Sequence, residues 1–321
     1  MDQRDEQALT AVKLYYESGL SQAEVASELG VSRPTVAKLI AHGKDRGFVT
    51  IEIHDPREAG EEIAAQLGER FALHDVRFAY VPRNTPEDLT RELGRAGAEV
   101  LESVVDDGTS IGVSWGQTMN SVASQLSHHP EKHGVTVVQL KGGHSHSARS
   151  THDFETLSRF CSAFNAEALQ LPLPVIFDNV AAKQIVEQDR HIAHILDAGR
   201  NTDVAIFTVG DVHPSSLLLN LGYLSPEETE ALVDRAVGDC CSRFYTEEGG
   251  VALPEVNDRT VGISLADLAA RPIRILVAGG AKKTAAISTA LGMGLATHLV
   301  IDRDTARAVL TAAKHQPPRH L

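Results

Sequence analysis

The sequence predicts two domains of different class: a small all-α head with a helix-turn-helix over residues 1–54, and a larger α/β domain with a doubly wound sheet over residues 61–315. Three observations predict this division. The stretch 21–42 has the capping and turn residues of two short helices. From residue 61 onward, short apolar runs alternate with helical patterns, which is typical of a mainly parallel sheet. Pro, Gly and charged residues cluster over 55–60 (DPREAG) and indicate a linker.

The helix-turn-helix is predicted from its end signals. Ser21 is a favourable N-cap, and Glu24 completes a capping box. Gly30 stands where the first helix must end and the chain must reverse. Ser32 caps the second helix, and Pro34 falls in its first turn, where a missing N–H has little effect. We therefore expect two helices joined by a tight turn.

The flanking segments complete the predicted head. Residues 5–19 form a helix with Leu9, Val12 and Tyr16 on one face, which packs on the helix pair. Alternating apolar residues over 46–53 (RGFVTIEI) predict a small wing strand. The head is thus a three-helix or winged unit.

The outer face of the second helix of the pair is polar and basic. Residues 31–47 contain four basic residues and one acidic residue, on a chain whose net charge is −13. A helix-turn-helix inserts its second helix into the DNA major groove, which predicts a site-specific DNA-binding head. The alternative, a helical hairpin used only for packing, does not account for the basic face. The predicted DNA-binding residues are Ser21, Ser32, Arg33, Thr35, Lys38 and His42.

Composition excludes several classes of protein. The strong negative charge argues against a protein that coats nucleic acid without sequence preference. No apolar run is long enough to span a membrane, and the polar first ten residues are unlike a signal peptide. The three cysteines, Cys161, Cys240 and Cys241, lack metal-ligand spacing and fit a reducing compartment. We expect a cytoplasmic protein without metal or cofactor.

The larger domain is predicted element by element. Helices are expected over 61–71, 89–105, 119–126, 151–164, 181–197, 226–236, 284–291 and 304–313. Apolar strands are expected over 75–81, 110–113, 136–140, 175–177, 203–209, 273–278 and 297–301. Ligands of doubly wound sheets bind outside the carboxyl ends of the strands, so the loops that follow the strands are the candidate site.

Two of these loops have features of an anion site. The loop 112–118 (GVSWGQT) offers Gly116 for close backbone approach and the hydroxyls of Ser114 and Thr118, ahead of a helix N-terminus. The second loop offers Gly279, Gly280 and Lys282 at another helix start, without the spacing of a Walker loop. An ordinary strand-to-helix turn is the alternative for each. We expect phosphate binding across the two loops.

A third loop begins with Lys141, followed by Gly142 and Gly143, directly after the buried run VTVVQL. A buried lysine is unfavourable unless it is paired or used. A desolvated lysine amine is a nucleophile toward aldehydes. A phosphate contact, or an amine that reaches solvent, is the alternative.

Other polar residues give weaker signals. Asp211 follows a strand and could accept a hydrogen bond from a sugar hydroxyl. Asp239 and Arg243 stand one helical turn apart and are predicted to pair. Three histidines at 144, 146 and 152 are consistent with a metal site, but a histidine-bearing loop is the favoured interpretation. No Ser-His-Asp set or carboxylate pair is evident.

The head and four stretches of the larger domain together resemble the SorC type of sugar-responsive bacterial transcription regulators. These stretches are GVSWGQT, VGDCCSRF, NDRTVGISLADL and VAGGAKKTAAISTAL. The resemblance covers about residues 5–310. It implies a domain similar to glucosamine-6-phosphate isomerases that binds phosphorylated sugars over loops 114–118 and 279–282, in a dimer or tetramer that binds operator DNA.

One departure from the family pattern is Lys141, where many members have Asn. A lysine there is similar to the deoxyribonucleoside regulator branch (DeoR of the SorC family), which implies deoxyribose-5-phosphate as effector, an imine with Lys141, and repression of deoxyribonucleoside uptake and catabolism genes. Alternatives are a regulator for another phosphorylated sugar, or an isomerase or aldolase, for which no general base is evident. The expected effector-binding residues are Lys141, Ser114, Gly116, Thr118, Gly142, Gly279, Gly280, Lys282 and Asp211.

Overall fold

The computed structural model describes residues 3–49, 56–83, 85–143 and 150–313. The chain forms two compact units, Met1–Glu58 and Ala59–Leu321. The division falls within the stretch 55–60 that was predicted as a linker. That stretch is not irregular, however, because helix α4 begins at Pro56. Proline is well suited to the first turn of a helix, where its missing N–H needs no partner.

Three helices form the head: α1 (Gln3–Tyr16), α2 (Gln22–Leu29) and α3 (Arg33–Asp45). They enclose a small apolar core made of Ala8, Ala11, Val25, Ala26, Val36, Leu39 and Ile40. Positions 46–49 form a turn in which Phe48 packs against this core. The rest of the predicted wing strand lies outside the described residues. The three-helix arrangement agrees with the prediction.

The larger unit alternates helices with strands. Its α-helices are α4 (Pro56–Phe71), α5 (Pro86–Glu102), α6 (Gln117–Gln125), α7 (Asp153–Phe164), α8 (Val180–Glu187), α9 (Arg190–Arg200), α10 (Pro226–Arg235), α11 (Pro254–Arg259), α12 (Leu265–Ala269), α13 (Thr284–Gly292) and α14 (Arg303–Ala313). Its strands are β1 (Asp75–Ala79), β2 (Ser110–Val113), β3 (Thr136–Gln139), β4 (Glu167–Leu169), β5 (Val204–Phe207), β6 (Val209–Asp211), β7 (Gly238–Cys240), β8 (Arg243–Tyr245), β9 (Ile273–Val277) and β10 (His298–Asp302).

The main sheet has seven parallel strands in the order β1-β10-β9-β5-β2-β3-β4. Side chains alternate between its faces, so Ile275 and Val277 belong to one apolar core and Leu276 to the other. Helices cover both faces and shield the apolar strands from water. The doubly wound parallel sheet predicted from the sequence is confirmed.

A second, antiparallel sheet of three strands, β6-β7-β8, was not predicted. The apolar run 203–209 is divided between β5 and β6. Asp239 and Arg243, expected one helical turn apart, lie on the adjacent strands β7 and β8 instead, where Cys240 opposes Arg243. Each of these strands has three residues, which is too short to show a period-two pattern.

Three other elements differ from the prediction. The helix expected over 181–197 is two helices, because the Asp189 side chain accepts from the backbone N–H groups of His191 and Ile192 and starts α9 anew. Strand β4 was missed. The run 175–177 contributes only an isolated bridge between Ile176 and Thr260.

Among the described residues, no helix combines the length and the apolar character needed to cross a membrane.

Candidate functional site

The loops singled out from the sequence meet at one edge of the main sheet. Strands β9, β5, β2 and β3 are neighbours and run parallel, so the loops that follow them share the carboxyl edge. Residues 114–116 follow β2, and Lys141 follows β3. The turn 278–283 follows β9. The β5 strand continues through Thr208 into β6, which brings Asp211 to the same region.

The backbone of Lys141 is fixed by a crossing segment. Lys141 forms an isolated antiparallel bridge with Gly262, and the Leu140 carbonyl accepts a hydrogen bond from the Ile263 N–H at 2.8 Å. Gly262 has a φ of +124°, and a Cβ there would lie 2.3 Å from the Leu140 oxygen. Glycine is therefore required where the two segments cross.

The Lys141 amine lies over an aromatic ring. Its Nζ is 3.7 Å from the centroid of the Trp115 ring, and Lys141 is only 6% exposed. The indole Nε1–H donates to the Gly142 carbonyl at 2.7 Å, which fixes the ring beneath the amine. A cation over a desolvated indole face is stabilised by roughly 2 kcal/mol. Sequence reasoning missed Trp115, although it lies inside the loop that was singled out.

Two carboxylates and a second amine lie in the surroundings of this amine. Burial raises the pKa of Asp239, while the nearby charges of Lys141 and Lys283 act to lower it. Burial lowers the pKa of the Lys283 amine, and the carboxylates of Asp211 and Asp239 act to raise it. Lys282, the expected phosphate contact, is exposed, whereas its neighbour Lys283 faces the acidic pair. Sequence reasoning missed Lys283 and gave Asp239 a structural role.

Two buried hydroxyls near the carboxyl edge have no hydrogen-bond partner within the described part of the chain. Ser114 Oγ belongs to the loop after β2, and Ser242 Oγ to the turn between β7 and β8. Cys241 and Ser242 both have positive φ values, +49° and +67°. This turn also places the Ser242 N–H 3.2 Å from an Asp239 carboxylate oxygen. Unpartnered buried hydroxyls are strong candidates for contacts to a polar ligand or water.

In the loop after β2, a glycine with free space beside its Cα stands at the start of α6. Gly116 has a φ of +131°, and a Cβ there would meet no atom within 4 Å. Its helix has no side-chain cap, so N–H groups of the first turn remain available to an anion. Thr118 lies half-buried in that turn. Phosphate binding at this loop stays a prediction.

The glycines after β9 have a different role from the one expected. The Gly280 N–H donates to Asp302 Oδ2 at 2.9 Å and to Thr305 Oγ1 at 2.8 Å. A Cβ on Gly279 would lie 2.5 Å from the same Asp302 oxygen. The Gly280 N–H is thus already paired, and these glycines allow the loop to pack closely against the start of α14.

The histidine loop contributes no metal site to the described structure. Positions 144 and 146 lie outside the described residues, and His152 Nδ1 lies 3.4 Å from Glu155 Oε2. Among the described residues, no group of three or more His, Cys, Asp or Glu side chains is arranged to hold a metal ion.

The head presents most of its predicted DNA-binding residues on its surface. The Ser21–Glu24 capping box is formed, and Gly30 ends α2 in the left-handed conformation. Ser32 caps α3 by accepting from the Thr35 N–H at 3.4 Å. The side chains exposed along α3 include Arg33, Thr35 and Lys38.

His42 lies elsewhere than expected. Its Nε2 is 2.9 Å from Oδ1 of Asp5, which is buried in α1, and Arg46 contacts the other oxygen of that carboxylate at 3.1 Å. The His42 side chain therefore packs between α3 and α1 and joins the two helices. This position is that of a brace for α3 rather than of an outward-facing contact to DNA.

Asp5→Asn is expected to destabilise the head. The hydrogen bond from His42 and the charge of Arg46 hold the pKa of the Asp5 carboxyl below its ordinary value. A carboxyl with a lowered folded-state pKa stabilises the protein above its unfolded pKa of about 3.9 and loses this effect as pH falls through the folded value. Thermal unfolding of the head should show the largest difference between parent and variant near neutral pH, and no difference at strongly acidic pH. A difference independent of pH would contradict this assignment.

Comparison with known proteins identifies the family. The sugar-binding domain family matches residues 56–311, and the sigma-70 region 4 family matches residues 5–46. The deoxyribonucleoside regulator of Bacillus subtilis is 42% identical over 311 residues, covering 97% of this chain and 99% of that protein. This chain is a SorC-type sugar-responsive transcriptional regulator.

Other SorC-type relatives agree over nearly the whole chain. The sorbitol operon regulator of Klebsiella pneumoniae is 29% identical over 300 residues, covering 93% of this chain and 95% of that one. The crystal structure of full-length SorC from the same organism aligns with a TM-score of 0.72 at 27% identity, covering 96% of this chain and all of that one. These similar proteins are transcription regulators, so the isomerase or aldolase alternative is set aside.

Proposed function

We propose that this SorC-type regulator is a repressor of deoxyribonucleoside uptake and catabolism genes, and that its effector is deoxyribose-5-phosphate, bound through an imine to Lys141. The proposal is supported by the 42% identity to the deoxyribonucleoside regulator of Bacillus subtilis. The observation that carries it is the buried Lys141 amine over the Trp115 ring, at the carboxyl edge of the sheet.

Imine formation needs a neutral amine, an aldehyde and a proton for the departing water. The Lys141 nitrogen attacks C1 of the open-chain sugar, and the resulting carbinolamine loses its hydroxyl as water. Burial raises the pKa of Asp239, which makes this carboxyl able to hold the proton that the hydroxyl requires. The proton that leaves with the hydroxyl as water gives the product iminium its positive charge, and the Trp115 ring face stabilises this cation.

The rest of the sugar is assigned to the groups around this amine. The phosphate is expected at the start of α6, where Gly116 opens the backbone and Ser114 and Thr118 supply hydroxyls. The partly buried Lys283 supplies a second positive charge near Asp211 and Asp239, which can accept hydrogen bonds from sugar hydroxyls. Lys282 and Gly142 remain the other expected members of the site, whereas the Gly280 N–H is already paired with Asp302 and Thr305.

Regulation follows from coupling between effector binding and operator binding. We propose that the chain acts as a dimer or tetramer whose heads bind a palindromic or repeated operator. The effector favours a conformation in which the heads no longer match the operator spacing. The effector can change the equilibrium between the two conformations by no more than the difference between its binding free energies for them.

Electrophoretic mobility shift with the region upstream of its own gene tests the repressor assignment. A specific retarded band that disappears on addition of deoxyribose-5-phosphate is expected. A band that forms only in the presence of the sugar would indicate an activator, and the absence of a specific band would contradict operator binding.

A thermal-shift panel of phosphorylated sugars tests the choice of effector. Stabilisation grows with ligand occupancy by RT ln(1 + [L]/Kd), so the true effector should raise the unfolding temperature most. Deoxyribose-5-phosphate is expected to exceed ketose and polyol phosphates. If another sugar phosphate stabilises the protein more, the regulator belongs to a different pathway.

Arg33→Ala tests the use of α3 in base or phosphate contact. Arg33 is exposed at the N-terminus of α3, the part of a recognition helix that reaches base edges first. The loss of one such contact is expected to weaken operator binding by about 1–3 kcal/mol. Fluorescence anisotropy with operator and unrelated duplexes measures the change. Unaltered affinity for both duplexes would contradict this docking orientation.

A further inference from the structure

An open groove lies between the start of α1 and the first half of α3. It has a volume of about 590 Å³ and is lined by Gln3, Arg4, Gln7, Thr35, Lys38 and Leu39. Leu39 is buried, while the five polar lining residues are exposed. The groove therefore has an apolar floor and walls made of hydrogen-bond donors.

The charge of this groove is opposite to that of the chain. Arg4 and Lys38 are cationic, and none of the six lining residues is acidic, although the net charge of the chain is −13. The carboxylate of the neighbouring Asp5 is engaged by His42 and Arg46. Glu6 projects about 200° around the helix from Arg4, away from the groove. An anionic ligand with several oxygens fits these walls.

The residues that the groove shares with α3 indicate which ligand binds in it. Thr35 and Lys38 line the groove and also belong to the exposed side of the recognition helix. A duplex that receives α3 in its major groove brings the flanking phosphate backbone close to the side chains that border this helix, and such side chains make the contacts that fix the protein's register. The exposed donors of α1 stand on the other wall of the same groove.

We propose that this groove binds the sugar-phosphate backbone of the operator, with Arg4 and Gln7 of α1 as phosphate contacts beside the segment that α3 reads. The inference rests on the DNA-binding role of the head. It adds α1 to a contact surface that sequence reasoning confined to residues 21–42. Phosphate contacts fix the register of a protein on DNA and make its affinity depend on salt.

Helix geometry provides a matched control. Lys13 lies nine residues after Arg4 on α1, which places it about 180° around the same helix. Both side chains are exposed. Arg4→Ala and Lys13→Ala therefore remove the same charge from opposite sides of one helix, and only the first removal affects the groove.

The test measures affinity for a duplex containing the upstream region of its own gene by fluorescence anisotropy over a range of salt concentrations. Arg4→Ala is expected to weaken binding about fivefold at 0.1 M salt and to reduce the slope of log K against log salt by about 1. Gln7→Ala should weaken binding with little change of slope, and Arg4→Lys should retain the slope. Lys13→Ala should bind as the parent does, and thermal unfolding should be similar for all four variants.

Two results would overturn the groove assignment while leaving operator binding intact. One is an unchanged slope for Arg4→Ala. The other is an equal loss for Arg4→Ala and Lys13→Ala, which would show a general effect of charge. Failure of the parent chain to bind the duplex at all would instead overturn the DNA-binding role from which the assignment follows.

Discussion

Lys141→Ala is expected to abolish the adduct that borohydride traps when the protein is mixed with deoxyribose-5-phosphate. Borohydride reduces the iminium to a stable secondary amine, so intact-mass analysis should show one added, reduced sugar per parent chain and none in the variant. The effector concentration that releases the operator should rise by about 100-fold or more, which corresponds to about 2.7 kcal/mol. The reason is the joint loss of the covalent bond and of the charge over Trp115.

Lys141→Arg separates the covalent role from the charge. A guanidinium keeps a cation near Trp115 but does not form an imine, since it stays protonated. We expect no adduct with this variant and a weakened response to the sugar. Lys13→Ala is the matched lysine control, because Lys13 is exposed on the head, outside the effector site, and should leave the adduct intact. An adduct that persists in Lys141→Ala would assign the imine to another amine. Absence of an adduct in the parent would make Lys141 a charge contact and reopen the choice of sugar.

Gly262→Ala is expected to destabilise the sugar-binding domain by about 3 kcal/mol. Its φ of +124° is unfavourable for a residue with a side chain, and a Cβ would lie 2.3 Å from the Leu140 oxygen and 2.6 Å from the Lys141 Cα. Relief of this clash requires the crossing segment to move away from Lys141. The variant should therefore also respond less to the effector under conditions where it remains folded.

Gly294→Ala is the control for backbone strain without crowding. Gly294 has a φ of +69°, but a Cβ there would meet no atom within 4 Å. The left-handed backbone conformation is then the only source of strain, and it should lower the free energy of unfolding by about 1–2 kcal/mol. Chemical denaturation of the parent and both variants measures how much unfolding free energy each substitution removes. Equal losses would contradict the view that the close crossing at Lys141, rather than φ alone, requires glycine at 262.

Local signals were sufficient to predict the head and the class of the larger domain. Ser21, Gly30 and Ser32 act on backbone groups within three or four residues, so capping and chain reversal could be predicted from neighbouring residues. The alternation of apolar strands with helices predicted the parallel sheet, because each crossover must bury an apolar face. Loop positions followed from the same rule, since every parallel strand ends at one edge.

The contacts that give the site its chemistry were not predictable in this way. Trp115 lies beneath an amine 26 positions later in the chain, and Gly262 crosses Lys141 from a distant segment. Lys283, rather than the adjacent Lys282, faces Asp239, because the short turn after β9 determines which of two neighbouring lysines points inward. His42 was misplaced for a similar reason, since its partner Asp5 is 37 residues away.

The sequence by itself determined the helix-turn-helix head, the doubly wound sheet and the loops that hold the candidate effector site. Each depends on interactions over a few residues or on a repeating apolar pattern. Only the tertiary structure decided the three-residue strands β6–β8, the acidic and basic cluster at the carboxyl edge and the brace between α1 and α3. These depend on pairs of residues far apart in the chain, whose approach is set by packing of the whole fold rather than by any local preference.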